Sequence, residues 1–314
     1  MQKLGRRYFS VESRIEIGDF TRSRGKIGRK IFDKGWKHLE PRYPINIQER
    51  WHRSSVERII HPNIIDNIEL KGFGNEPSLD WRLFFETTSL NNISNETKNK
   101  YSENELNEFK KISPWHDIPL GFKYTKTNEL LFNYINEIPK NTRAKNECAT
   151  KEEWNPIKQD TKKGELRFFK YGDMPFNYGF IPQTWEDPSH QSKYIDIPDL
   201  YGDNDPIDVV EISNNSYKCG EILPIKILNV LALIDEGETD WKIIGIKYDE
   251  NDSNINNINN IFDAEQIYGI KYSEIILDWF LNYKVPDGKP QNEFAWNAEY
   301  KDSTYAINII EETY

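Results

Sequence analysis

Cysteine is nearly absent from this chain: only Cys148 and Cys219 occur in 314 residues. Their separation fits neither a CxxC pair nor a disulfide framework, which argues against a disulfide-held scaffold and a thiolate zinc site. Long apolar runs are missing too. The most apolar stretch, Ile222 to Ile234, is interrupted by Lys226 and Asn229 and is too short to span a bilayer, so no transmembrane segment is expected. There is no internal repeat. A surplus of positive charge is lacking as well, since 51 acidic residues face 41 basic ones for a net charge of −10. The imbalance is local. Residues 1–60 hold 15 Lys and Arg against 7 Asp and Glu, so the acidic surplus belongs to the rest of the chain. The basic arm carries no nucleic-acid motif, and no nucleic-acid partner is expected.

What the chain has is carboxylate in dense patches. Gly202-Asp203-Asn204-Asp205-Pro206-Ile207-Asp208 places three acids within six residues, with a proline stiffening the link between the second and third. On an extended strand Asp203 and Asp205 share one face, because side chains alternate with period two. Charges this close repel unless something positive lies among them. Oxygen ligands without His or Cys suit a hard cation such as Mg²⁺ or Mn²⁺. The plain alternative is a solvated acidic turn. An EF-hand is excluded, because Asp208 stands where that loop needs Gly and Asn214 where it needs Glu. A second patch, Asp235-Glu236-Gly237-Glu238-Thr239-Asp240-Trp241-Lys242, follows the buried-strand pattern of Ile222 to Ile234 through a tight turn at Gly237. Carboxylates for metals beside Lys, Arg and Tyr for an anion form the inventory of phosphoryl transfer.

Further segments carry a resemblance. They are His116-Asp117-Ile118-Pro119-Leu120, Glu137-Ile138-Pro139, Asn155-Pro156-Ile157, Gln159-Asp160-Thr161-Lys162-Lys163-Gly164 and Leu166-Arg167-Phe168. Asn177-Tyr178-Gly179, Pro182-Gln183-Thr184-Trp185-Glu186-Asp187-Pro188, the two acidic patches and Tyr283-Lys284-Val285-Pro286-Asp287-Gly288-Lys289-Pro290 complete the series. In this order, over about two thirds of the chain from Trp115 onward, they resemble the family I soluble inorganic pyrophosphatases of eukaryotic type.

The resemblance implies Mg²⁺-dependent hydrolysis of pyrophosphate to two phosphates by a metal-activated water. It implies that Asp203, Asp208, Asp240, Asp235 and Glu147 hold metals and that Asp205 is the general base, oriented by a hydrogen bond from Tyr178. Lys145, Arg167, Lys242, Tyr283 and Lys284 would bind the phosphates, Arg167 with a planar fork suited to two oxygens. Glu137 would act behind the metal ligands. One position departs from the family pattern: Met174 stands where a phosphate-facing tyrosine is usual, in a shortened Arg167–Tyr178 loop, and a thioether donates no hydrogen bond.

The fold implied is α+β, mainly β, with a closed OB-like five-stranded barrel, flanking helices and an N-terminal extension. Strand patterns over 80–86, 130–138, 166–169, 207–212, 222–234 and 241–248 agree with this, as do helical spacings over 263–268, 271–284 and 303–312. The Asn-rich tracts 90–99 and 251–260 read as solvated insertions with little packing content. Residues 1–76 read as a basic extension and 77–314 as the hydrolase domain. The Arg/Ser-rich start suits a mitochondrial matrix presequence, with a cytoplasmic location as the other option. Trp36, Trp51 and their aliphatic neighbours suit a docking segment. A homodimer is the family default. The competing functional reading is an accessory subunit of a larger mitochondrial assembly, joined through this arm.

Overall fold

In a computed structural model of the chain, residues 67–87, 110–121, 123–124 and 130–314 are described. The expectations for the arm, including Trp36 and Trp51, and for the tract 90–99 lie outside the described residues. The strands, in chain order, are β1 (Ile68–Phe73), β2 (Arg82–Thr87), β3 (Lys111–Ile112), β4 (Lys123–Tyr124), β5 (Leu130–Ile138), β6 (Asn146–Cys148), β7 (Ile157–Gln159) and β8 (Thr161–Lys162). They continue as β9 (Glu165–Leu166), β10 (Asn177–Phe180), β11 (Tyr201–Gly202), β12 (Asp208–Glu211), β13 (Ile222–Asp235), β14 (Glu238–Lys247), β15 (Glu293–Phe294) and β16 (Lys301–Asp302). Three helices follow the longest hairpin: α1 (Ile261–Tyr268), α2 (Tyr272–Asn282) and α3 (Ser303–Thr313). The described residues are mainly β with few helices, as expected. None of the described helices is long and apolar enough to cross a membrane.

The main sheet is built on β13 and β14, which pair antiparallel from Ile225↔Lys247 to Asp235↔Glu238. Their two-residue connection puts Glu236 at φ 50° and Gly237 at φ 92°. Two positive φ values make the tight hairpin turn that matches strand twist, and Gly is the residue that adopts the second at little cost. β13 also pairs with β5, β5 with β10, β10 with β12, and β12 runs parallel to β14. The pairings therefore run in a cycle. β1, β2, β6 and β7 form a smaller sheet, with β3 on β2.

Alternation explains why both faces of the long strands are apolar. Val210, Leu231 and Ile244 belong to a core with Ile261, Ile276, Trp279 and Phe280 of α1 and α2. Their neighbours Val209, Val230 and Ile243 belong to a second core with Ala306, Ile309 and Ile310 of α3. A strand covered on both faces reads as a continuous apolar run, which is the pattern of Ile222 to Ile234. Helix starts follow local chemistry: Asn260 accepts from the backbone N–H of Phe262 and Asp263, and Asp302 from that of Tyr305.

Two expectations fail. The tract 251–260 is not free of packing content, because Ile255 and Ile258 are buried in the first core. Its asparagines hid two anchors at helical spacing. The segment 166–169 is not one strand: β9 ends at Leu166, and Phe168 makes a lone bridge to Ala144.

Candidate active site

Parallel pairing of β12 with β14 sets Asp208 beside Lys242. Lys242 is 2% exposed. Its Nζ donates to Asp208 Oδ2 at 2.5 Å, to Asp240 Oδ1 and to the Tyr178 hydroxyl at 2.8 Å. The ammonium also lies 5.4 Å from the Tyr178 ring centre and 5.2 Å from that of Phe280, within cation–π range. Burial by itself would lower the Lys242 pKa, but Asp208 and Asp240 outweigh it and hold the ammonium well above the ordinary value. Lys242 is the internal counter-ion of the acidic strands.

Tyr178 donates to Asp208, not to Asp205 as expected. The reason is geometric. On β10 it lies diagonally across from Asp208, with Tyr178 opposite Val210 and Phe180 opposite Asp208. Gly179, next to it, is required by close approach: a Cβ there would sit 1.9 Å from the Ile135 carbonyl oxygen.

Asp203 and Asp205 do not share one face of a strand. Between them Asn204 takes φ 75°, and the Asp205 N–H donates to Asp203 Oδ1 at 3.0 Å, so the segment is a turn. The turn sends the two acids to different neighbours. Asp203 joins Asp240 and Glu186, whose carboxylate oxygens lie within 4.8 Å of one another. Asp205 lies outside that group and feels Asp208 first, then Glu147 and Lys145, while Asp208 also acts on Asp203.

Glu186 is the residue the sequence reading missed. It is 3% exposed; one oxygen accepts from the Trp241 N–H at 2.9 Å, while Oε2 is buried with no hydrogen-bond partner among the described residues. Its carboxyl pKa is pushed well up by burial and by Asp203, Asp240 and Asp208. Burial and Asp205 push Asp203 to about 7, and burial likewise raises Asp240. Loss of solvent, then Asp208 and Glu147, lifts Asp205 to about 6. A carboxylate that keeps one oxygen unpartnered and lies beside two further carboxylates, all oxygen donors, fits a hard divalent cation. The only trace of Glu186 in the sequence was its place inside the Trp185-Glu186-Asp187 segment.

Two anion-ready groups flank this centre. Lys145 Nζ donates to Asp160 at 2.9 Å and to Glu147 at 3.3 Å, and Arg167 donates to Asp160 at 2.5 Å. Asp160, also missed from sequence, is held below its ordinary pKa by Lys145 and Arg167 against the effect of burial. In the second group Lys284 donates to Asp235, with the Tyr283 hydroxyl at 3.4 Å from the same carboxylate. Glu137 is 5% exposed and accepts from the Cys148 N–H at 2.5 Å. Burial and the charge of Asp208 push its pKa well up.

Met174 does not face this site. It is 1% exposed in the first core with Ile138, Phe169 and Phe176, and its N–H donates to the Thr142 carbonyl. Met174→Tyr is therefore expected to destabilise by about 1–3 kcal/mol through overpacking, without raising activity. Urea melts beside rate assays check this, and a faster, equally stable variant would refute it.

Crowded acids also set a pH expectation. The folded pKa of Asp203, about 7, lies above an unfolded value of about 3.9. Stability from its neutral form is complete below pH 4 and lost as pH rises through 7, on the order of a few kcal/mol. A divalent cation should offset that loss, so its addition should raise the melting temperature more at pH 8 than at pH 5. Equal shifts at both values would count against an assembled cation site.

The inorganic pyrophosphatase family profile matches residues 134–314. The chain is 48% identical over 220 residues to the inorganic pyrophosphatase of Bos taurus, covering 68% of this chain and 71% of that protein. Its structure resembles the N-terminal-domain-truncated vacuolar soluble pyrophosphatase of Trypanosoma cruzi, solved in complex with PPi. That match has a TM-score of 0.66 at 34% identity and covers 78% of this chain and 88% of the other. The inorganic pyrophosphatase of Schistosoma japonicum gives a TM-score of 0.65 at 36% identity, over 78% of each chain.

Proposed function

The chain belongs to the inorganic pyrophosphatase family, and on that premise we propose that it hydrolyses pyrophosphate to two phosphates with Mg²⁺ as its metal. The observation that carries the reading is the convergence of Asp203, Asp240 and the unpartnered Glu186 oxygen beside a buried Lys242. Asp203, Asp208, Asp240, Asp235 and Glu147 are assigned to hold metal, with Glu186 added to the set. A bound divalent metal supplies a water of lowered pKa and neutralises phosphate charge.

The chain's own groups do the rest. Asp205 is the assigned base; with a pKa of about 6 it is ionised at neutral pH and takes one proton from the attacking water. The phosphoric anhydride P–O bond breaks as the new P–O bond forms, and the second phosphate leaves with the bridging oxygen. Arg167, Lys145, Tyr283 and Lys284 are assigned to grip the phosphate oxygens. Their present partners, Asp160 and Asp235, keep these groups oriented. Tyr178 and Lys242 fix Asp208, and the buried Glu137 lies within the field of Asp208, Glu147 and Asp205. Phosphate release from pyrophosphate by the purified protein, with and without Mg²⁺, tests the reading; no release with the metal present would refute it.

We read the cycle of β5, β10, β12, β14 and β13 as an OB-type barrel. For the cell we propose a mitochondrial matrix protein, homodimeric in the manner of the family, with residues 1–76 as address or docking arm. The basic composition of that arm supports this. A reporter fused behind residues 1–76 and found in the cytosol would refute the address.

A further inference from the structure

The loop that carries Asp203 and Asp205 has one side chain at its tip, and that side chain is not an acid. Asn204 stands between the two carboxylates in the left-handed region, which Asn tolerates better than most residues. Its Oδ1 accepts from the indole N–H of Trp185 at 3.0 Å. The segment around Trp185 is itself a template for the loop. Glu186 N–H donates to the Asp205 carbonyl at 2.9 Å, Asn204 N–H donates to the Glu186 carbonyl at 2.9 Å, and Gly202 N–H donates to the Asp187 carbonyl at 3.3 Å. The backbones are in such close contact that a Cβ on Gly202 would lie 2.2 Å from the Glu186 carbonyl carbon. The template is anchored in turn, because the Trp185 N–H donates to the Thr313 carbonyl at the end of α3 at 2.7 Å.

We propose that Trp185 is a positioning residue: its indole N–H, braced by the end of α3, holds Asn204 and thereby sets the divergence of Asp203 and Asp205. The backbone bonds alone fix the path of residues 202–205. The indole bond adds a side-chain contact from the template to the tip. It acts on the residue that links the metal-facing acid to the assigned base. The proposal rests on the assignment of this cluster as a metal site.

The test uses the full chain and Mg²⁺ alone as probe. Trp185→Phe keeps the ring and removes only the donor. We expect Mg²⁺ affinity, measured by calorimetry without substrate, to fall about three- to tenfold, the worth of one hydrogen bond. The turnover number should fall with it while KM for pyrophosphate holds. Asn204→Gly keeps the left-handed backbone and removes the acceptor, so it should reproduce the loss even if the Trp185 variant folds poorly. The double variant should be no worse than either single one. Unchanged Mg²⁺ affinity in a folded variant, or a lower melting temperature with unchanged affinity, would overturn the role of Trp185. Additive losses in the double variant would overturn it too. Wild-type protein that binds no Mg²⁺ would instead refute the site on which the proposal rests.

Discussion

Asp205→Asn should lower the turnover number for pyrophosphate by about 10²-fold or more while leaving KM within a few-fold. Asparagine keeps the shape and can still accept a hydrogen bond, but it cannot take up a proton. Asp205 lies outside the Glu186–Asp203–Asp240 group, which leaves its carboxylate to meet an incoming water. With its pKa lifted to about 6, the parent enzyme should lose activity as pH falls through 6, when the base becomes protonated. That acid limb should be missing from the variant's profile. Steady-state phosphate release between pH 5 and 9 reads both effects. A variant within a few-fold of the parent at pH 7 would show that another group takes the proton.

Removing the charge of Lys242 should be the most damaging change to the fold. Lys242→Met keeps much of the apolar stem but leaves Asp208 and Asp240 facing each other without their counter-ion. Breaking a buried pair by deleting one partner costs about 3–5 kcal/mol, because the surviving charge stays buried and unpaired. For a domain of this size that is roughly 6–20 °C in melting temperature. The pH dependence has a definite sign. Without the ammonium the folded-state pKa of Asp240 rises further above the unfolded value, so the deficit is full at pH 8 and shrinks toward pH 4 as that acid is neutralised. Thermal melts of parent and variant at pH 5 and pH 8 measure it. A deficit of the same size at both values would mean that packing around Tyr178 and Phe280, rather than charge, is what Lys242 supplies.

Local chemistry alone specified much of this protein. The Glu236-Gly237 turn, the apolar run before it and the alternation after it dictate the β13–β14 hairpin, because turn geometry and period-two burial are properties of neighbouring residues. The caps at Asn260 and Asp302 mark helix starts for the same reason. The acidic patches, with the basic and tyrosine residues around them, pointed to hard-cation and phosphate chemistry before any fold was known.

Tertiary structure decided which acid meets which partner. Parity along an extended strand puts Asp203 and Asp205 on one face, whereas the left-handed Asn204, bonded to Trp185 and Glu186, makes a turn in which only Asp203 joins Glu186 and Asp240. Tyr178 reaches Asp208 because a strand diagonal, not sequence distance, sets its neighbour. Glu186 and Asp160 become site residues only when the 185–187 segment lies along 202–205 and Asp160 comes between Lys145 and Arg167. Met174 was a family position read as facing phosphate, and the packing of Phe169 and Phe176 around it made it core. Burial, which raises the acid pKa values and makes Lys242 the internal counter-ion, is a property of the assembled strands. Residue spacing carries information about direction along one segment, while the electrostatics of this site arise from distances between segments.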